Sequence, residues 1–139
     1  MKTLLLLILI AMSTQATSNN SELKPCPNRP NCVSSQGDNS HFVEPFKLLP
    51  KVTVDMNKLL SILSQLEERI SVSHTGNHIH AEISSRIFGF VDDLDLIVDE
   101  ENQVIHIRSA SRLGYYDFGV NRKRVANLRE LLIKSEITQ

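Results

Sequence analysis

Between residues 108 and 124 the chain reads RSASRLGYYDFGVNRKR, a run with four arginines, one lysine, two adjacent tyrosines and two glycines. Cations in the first turn of a helix are unfavourable by a few tenths to about 1 kcal/mol each, because the helix N-terminus carries partial positive charge. This junction between a strand and a helix therefore needs anionic partners. They can be carboxylates of the chain itself, or a bound phosphate, sulfate or carboxylate held by guanidinium groups and a helix N-terminus.

One hypothesis is that the junction binds a small anionic ligand. Tyrosines with one apolar and one polar end suit a pocket wall as well as half-buried packing, and an asparagine at this position suits a helix cap as well as a ligand contact. The predicted ligand-binding residues are Arg108, Arg112, Tyr115, Tyr116, Asp117, Asn121, Arg122 and Arg124.

The competing hypothesis is a structural ion network, in which nearby aspartates neutralise the same arginines through bidentate pairs. Its predicted members outside the junction are Arg86, Asp92, Asp93 and Asp95. A hydrolase of the cell envelope that uses the carboxylates of Asp92–Asp95 is an alternative. Asp92 and Asp93 are adjacent, so on a strand they point to opposite faces and do not form a paired acid and base. No serine lies in a Gly-x-Ser-x-Gly or Ser-x-x-Lys context, so we predict no catalytic residue and favour a non-enzymatic role.

A metal site is the third possibility. His78, His80 and Glu82 alternate along one predicted strand face, and His106 can join them from a neighbouring strand. Imidazole and carboxylate ligands suit zinc or copper. The same alternation is expected of any strand with one solvated face, so we predict no metal and no cofactor.

The segments around the junction predict the elements that position it. Asp55 is a predicted N-cap, and apolar residues at three- and four-residue steps after it predict a helix to about Arg69. From residue 70 the period changes to two, which is typical of strands. The later predicted elements are strands at 78–83, 86–91, 93–98 and 104–108, a hairpin turn at 99–103, and a helix from about 120 to 135.

Short connections between these strands require antiparallel pairing. We therefore predict an α+β domain at residues 42–139, with an antiparallel sheet of four or five strands and two helices packed on one face. At Gly114 and Gly119 we predict backbone angles that are unfavourable for residues with a side chain.

The N-terminal region predicts export. Residues 1–16 combine Lys2, a short apolar run and small residues before a cleavage point, as in a secretory signal peptide, so we predict a secreted or periplasmic protein. The sequence has no second long apolar run, so we predict no transmembrane segment in the mature chain. A net charge of −1 gives no indication of nucleic-acid binding, which leaves a small anionic ligand or a cell-envelope protein as the predicted partner.

Residues 17–41 form a predicted extended arm, because they are polar and proline-rich. Cys26 and Cys32 predict a disulfide that holds this arm in an oxidising compartment. Free thiols and chemical roles remain alternatives, although the spacing is not that of a Cys-x-x-Cys redox pair and a metal site would lack two further sulfur ligands.

Four segments resemble the family catalogued as domain of unknown function 1499. They read CPNRPNCVSSQ, HFVEP, FGFVDDLDL and IRSASRLGYYDFGVNRKRV, and they run in order through most of the chain after residue 25. The resemblance implies a small exported or organellar domain. It implies no activity and no catalytic residue.

Overall fold

The computed structural model describes residues 21–139, and the predicted signal peptide at 1–16 lies outside them. Its strands are β1 (Cys32–Ser34), β2 (Phe46–Lys47), β3 (Ile70–Thr75), β4 (His78–Ser84), β5 (Val91–Asp99) and β6 (Val104–Ser111). Its helices are α1 (Met56–Leu63) and α2 (Val120–Lys134), with a short 3-10 turn at Asn39–His41. None of the helices in this part of the chain has the length and apolar character needed to cross a bilayer.

All strands pair antiparallel in the order β1-β6-β5-β4-β3, which confirms the predicted α+β class and antiparallel sheet. Six strands occupy five positions across the sheet, because β1 and β2 lie one after the other along the same edge of β6. Part of the predicted arm thus joins the sheet as β1. The Cys26–Cys32 disulfide is present.

The helices begin where the sequence predicts them to begin. The carboxylate of Asp55 accepts hydrogen bonds from the backbone N–H groups of Asn57 and Lys58, which confirms it as the N-cap of α1. Helix α1 ends at Leu63 and not near Arg69, since the next backbone bonds run only three residues back, from Gln65 and Leu66. Such tight turns close a helix and do not extend it.

The predicted strand at 86–91 is wrong. Residues 85–90 form a loop, closed by a hydrogen bond from the N–H of Ser85 to the carbonyl of Phe90, and Gly89 in it has a φ of 64°. Strand β5 then runs without interruption from Val91, and the hairpin turn predicted at 99–103 joins it to β6. An apolar run resembles a buried strand in sequence even when its side chains face solvent.

One face of the sheet forms the core with both helices, and we call it the core face. Alternate residues of each central strand point to it, as the pleat requires. The opposite side, which we call the open face, carries mainly polar residues of β4, β5 and β6. The fully buried core-face side chains of these strands include Ile79, Ala81, Leu94, Leu96, Ile105 and Ile107.

Candidate functional site

The sheet divides the predicted junction between its two faces. Successive residues of β6 point to opposite sides, so Ser109 faces the core with α2 while Arg108 lies on the open face opposite Asp95. Two separate polar clusters result. One contains Arg124 and lies beneath the start of α2, and the other contains Arg108.

Arg124 is the centre of a closed network on the core face. It is only 4% exposed, and its guanidinium contacts Asp92 Oδ2 at 2.8 Å and Glu67 Oε1 at 3.3 Å. The same group donates to Asn121 Oδ1 at 2.7 Å and to Ser109 Oγ at 3.1 Å. Every side of this buried cation meets an oxygen, as a stable buried charge requires.

Asn121 extends the network and does not cap the helix. Its side-chain amide donates to Asp117 Oδ2, Ser111 Oγ and the carbonyl of Asn31 at 2.8, 2.9 and 3.2 Å. The capping acceptor is Asp117, which receives the backbone N–H groups of Gly119 and Asn121 at 2.9 and 3.1 Å. A carboxylate at this point also suits the positive end of the helix.

The open face carries a row of charged side chains on three neighbouring strands. His80, Asp95 and Arg108 lie side by side in register. His80 Nδ1 and His78 Nε2 lie 2.8 and 3.3 Å from the same oxygen, Asp95 Oδ1. The other carboxylate oxygen of Asp95 is 3.7 Å from Arg108 Nη1, which is too long for a hydrogen bond.

Arg112 closes one end of this row. Its Nε and Nη2 donate to the two oxygens of Asp93 at 2.9 and 2.8 Å, and Nη2 also contacts Glu82. His80 is next to them, and ligand atoms of His80, Glu82 and Asp93 lie within 4.8 Å of one another. These three side chains have metal-binding chemistry, but Arg112 already neutralises both carboxylates.

Acid should lower the free energy of unfolding by protonating Asp93 and Asp117. Hydrogen bonds from Arg112 hold the pKa of Asp93 below its ordinary 3.8. Burial acts to raise the pKa of Asp117, but hydrogen bonds from Asn121 and the backbone outweigh it and keep the pKa low. Stability from such groups is complete above the unfolded pKa and is lost as pH falls through the lower folded pKa.

We therefore expect urea stability to fall below about pH 4. The double variant Asp93→Asn/Asp117→Asn should start lower at neutral pH and lose less on acidification. Urea titrations of both proteins at neutral pH and at several acidic pH values measure this difference. Parallel curves for the two proteins would contradict the role of Asp93 and Asp117 in the loss of stability at low pH.

Arg108 is the least satisfied charged group of the open face. It is 6% exposed, and its Nε is buried without a hydrogen-bond partner among residues 21–139. It lines a groove of about 650 Å³ between the sheet and residues 23–27 of the arm. The groove is lined by Leu23, Lys24, Pro25, Cys26, Pro27, His78, His80, Asp93, Asp95, Arg108, Ala110, Ser111 and Arg112.

The disulfide keeps the arm over this groove. Cys26 lies in the arm and Cys32 in β1, next to β6, with an S–S distance of 2.04 Å. Leu23 is buried, and its N–H donates to Gln36 Oε1 at 2.7 Å. A groove of this kind is a common form of ligand site, since such sites are concave and use a few polar groups.

The remaining predicted residues lie outside both clusters. Tyr115 and Tyr116 are exposed in the loop before α2, and Arg122 donates to the carbonyl oxygens of Ser40 and Phe42. The exposed guanidinium of Arg86 pairs with Glu68 at 3.5 Å, away from the three aspartates. His106 lies against Ser35 and Asp99.

Sequence reasoning missed the arm as a wall of the groove and Asn31 as a member of the core-face network. Asn31 is buried, and its side chain donates to the carbonyl of Gly114 at 2.7 Å. The one available signal was its position next to Cys32, which the disulfide and β1 bring against β6. Pairing between such distant segments has no local sequence pattern.

Comparison with known proteins gives one match. A family model described as "Protein of unknown function (DUF1499)" covers residues 22–132, which include the arm wall, both polar clusters and most of α2. No curated protein and no solved structure matches the chain.

Proposed function

The chain belongs to the DUF1499 family of unknown function, and we propose that it is an exported binding module that holds a small anionic ligand beside Arg108. The apolar leader and the disulfide support the export part of this proposal, because disulfides persist in secreted and periplasmic proteins. The binding part rests on the geometry of the groove.

The observation that carries the proposal is the incomplete coordination of Arg108. A buried guanidinium whose Nε has no acceptor costs free energy, since a desolvated donor is unfavourable by about 1–3 kcal/mol and more when it is charged. Asp95 offers little compensation, because both histidines share one of its oxygens and the other lies 3.7 Å away. A carboxylate or phosphate group in the groove would accept from Arg108 in the bidentate manner that guanidinium favours.

Other groups at the groove suit the rest of such a ligand. His78 and His80 are half-buried beside Arg108, and Lys24 lies on the arm side. Asp93 and Asp95 limit the total negative charge that the groove accepts. A ligand with one anionic group and further hydroxyl or carbonyl oxygens fits this mixture better than a polyanion does.

The test is an anion panel of phosphate, sulfate, acetate and citrate, measured by thermal shift and titration calorimetry on the oxidised protein. We expect Arg108→Met to weaken binding about tenfold or more, as loss of a charge-assisted hydrogen bond does. Arg122→Met is the matched control, because that arginine belongs to the predicted junction but contacts only backbone carbonyls on the surface. Binding that survives Arg108→Met and disappears in Arg122→Met would place the site at the helix start and refute the groove.

A metal ion is the second candidate, favoured by the approach of His80, Glu82 and Asp93 to within 4.8 Å. It requires Arg112 to leave both carboxylates, so the anion site has better support. Zinc in the same panel separates the two, since a zinc shift abolished by His80→Ala and unaffected by Arg108→Met would favour the metal. A hydrolase would have to use Asp93 and Asp95 alone, because Asp92 lies on the core face against Arg124.

A further inference from the structure

Two neighbouring loops carry most of the large apolar side chains that the domain exposes. We call residues 85–90, between β4 and β5, loop A, and residues 113–120, which run from the end of β6 to the first residue of α2, loop B. Among residues 21–139, ten large hydrophobic side chains are exposed, and eight of them lie in these loops. The eight are Ile87, Phe88, Phe90, Leu113, Tyr115, Tyr116, Phe118 and Val120.

The sheet brings the two loops to the same end of the molecule. Asp92, just after loop A, pairs with Ser111, and the N–H of Arg112 donates to the carbonyl of Val91 at 3.1 Å. Aromatic rings also contact each other within each loop. Phe88 stacks on Phe90 with centroids 5.5 Å apart, and the Tyr116 and Phe118 centroids are 5.1 Å apart in an edge-to-face pair.

The distribution of aromatic residues makes this surface unusual. The chain has five phenylalanines, two tyrosines and no tryptophan, and five of these seven residues lie in loops A and B. Phe46 is the aromatic residue that the core uses. Soluble domains rarely leave contiguous apolar surface in water unless it meets a partner or a membrane.

The loops are convex, and this shape suits insertion into a lipid surface better than docking against a protein partner that also projects. Gly89, Gly114 and Gly119 all have positive φ, and a Cβ built on any of them meets no atom within 4 Å. The loops therefore project as convex tips. Phenylalanine and tyrosine side chains on such tips suit the interfacial layer of a bilayer, where apolar rings enter and polar ends stay wet.

Charge at the margin of the loops agrees with anionic lipid. Lys123 is exposed and follows Val120 by three residues, so the two share one face of α2. Arg86 in loop A is also exposed, and its surface pair with Glu68 is worth little. We infer that loops A and B form a peripheral membrane-binding surface that inserts its aromatic side chains into the interface of an anionic bilayer.

The absence of tryptophan from the sequence allows a direct test in the full chain. Phe118→Trp places one fluorophore at the tip of loop B, where Phe118 is 86% exposed. Ile133→Trp is the control, because Ile133 is 45% exposed and lies about 20 Å further along α2 by the helical rise. Each variant is mixed with equimolar phosphatidylcholine and phosphatidylglycerol vesicles, with or without brominated acyl chains.

We expect a blue shift and bromine quenching at position 118 and neither at position 133. Both proteins carry the same apolar leader, so membrane attachment through the leader alone would not quench position 118 selectively. Adding Lys123→Glu to Phe118→Trp should weaken vesicle binding on the order of tenfold, as expected when a cation near anionic lipid is reversed. Equal quenching at both positions, or none at 118, would overturn the inference. A concentration-dependent blue shift without vesicles would also overturn it and would indicate self-association through the loops.

Discussion

Replacing Arg124 by methionine is expected to lower the free energy of unfolding by about 3–5 kcal/mol, the range for breaking a buried ion pair from one side. The substitution leaves Asp92 without its cation and removes two donors from Asn121 and Ser109. The total free energy of unfolding of a domain of this size is roughly 5–15 kcal/mol, so the variant should be close to unfolding at moderate temperature. Urea denaturation followed by circular dichroism measures the change.

Arg122→Met is the control for Arg124→Met, because the two arginines are two residues apart on α2 but only Arg124 is buried. We expect the control to cost less than about 1 kcal/mol, as most surface substitutions do. The double variant Asp92→Asn/Arg124→Met should recover part of the loss, since the uncompensated carboxylate is then neutral. Equal losses for the two single arginine variants would show that the network does not stabilise the fold.

Removal of the disulfide by Cys26→Ala with Cys32→Ala should lower the free energy of unfolding by about 2–4 kcal/mol. The closed loop is short, so its entropic effect lies at the lower end of that range. Burial of Cys32 beside β6 and of Leu23 in the arm adds to it, because both contacts depend on the arm staying in place. Denaturation of the oxidised protein and of the variant measures the change.

Glutamyl endopeptidase gives a second measurement of the same variant. Glu22 is exposed in the arm and is followed by Leu23, and cleavage after it should accelerate when the disulfide is absent, because the free arm opens more often. Asn28→Ala, within the disulfide loop, is the matched control and should change neither stability nor cleavage. Reduction of the wild-type protein should reproduce the double variant. Unchanged cleavage would mean that other contacts hold the arm.

Periodic elements were predictable and short ones were not. The hydrophobic spacing of α2 and the alternation in β4 placed these elements within a few residues, and Asp55 had the chemistry of an N-cap. Strands of two or three residues, such as β2 and β1, contain too little sequence to show a period. The exposed apolar residues of loop A imitate a buried strand, so the error there arose from the same signal that succeeded elsewhere.

The arginine cluster shows the same limit at the level of a site. Its chemistry is visible in the sequence, but Arg108 and Arg124 differ in what surrounds them. The register of β5 and β6 sets Arg108 opposite Asp95, and the packing of α2 on the core face sets Arg124 against Asp92. Arg124 meets Asp92 at hydrogen-bond distance, while Arg108 meets Asp95 at 3.7 Å. The sequence predicts one role for both arginines, whereas in the structure Arg124 belongs to a closed network and Arg108 lines the groove.

Strand β6 is the shared partner of β1, β2 and β5, and this affects the order in which the chain folds. The hairpins β3–β4, β4–β5 and β5–β6 form between close neighbours, but Cys32 pairs with Ala110 and Phe46 with Ile105. Closing such long loops costs entropy, and contacts between distant residues slow folding. During synthesis the N-terminal segment emerges before β6, and β1 can pair only once β6 is present. The local Cys26–Cys32 bond is therefore able to form before its strand has a sheet to join.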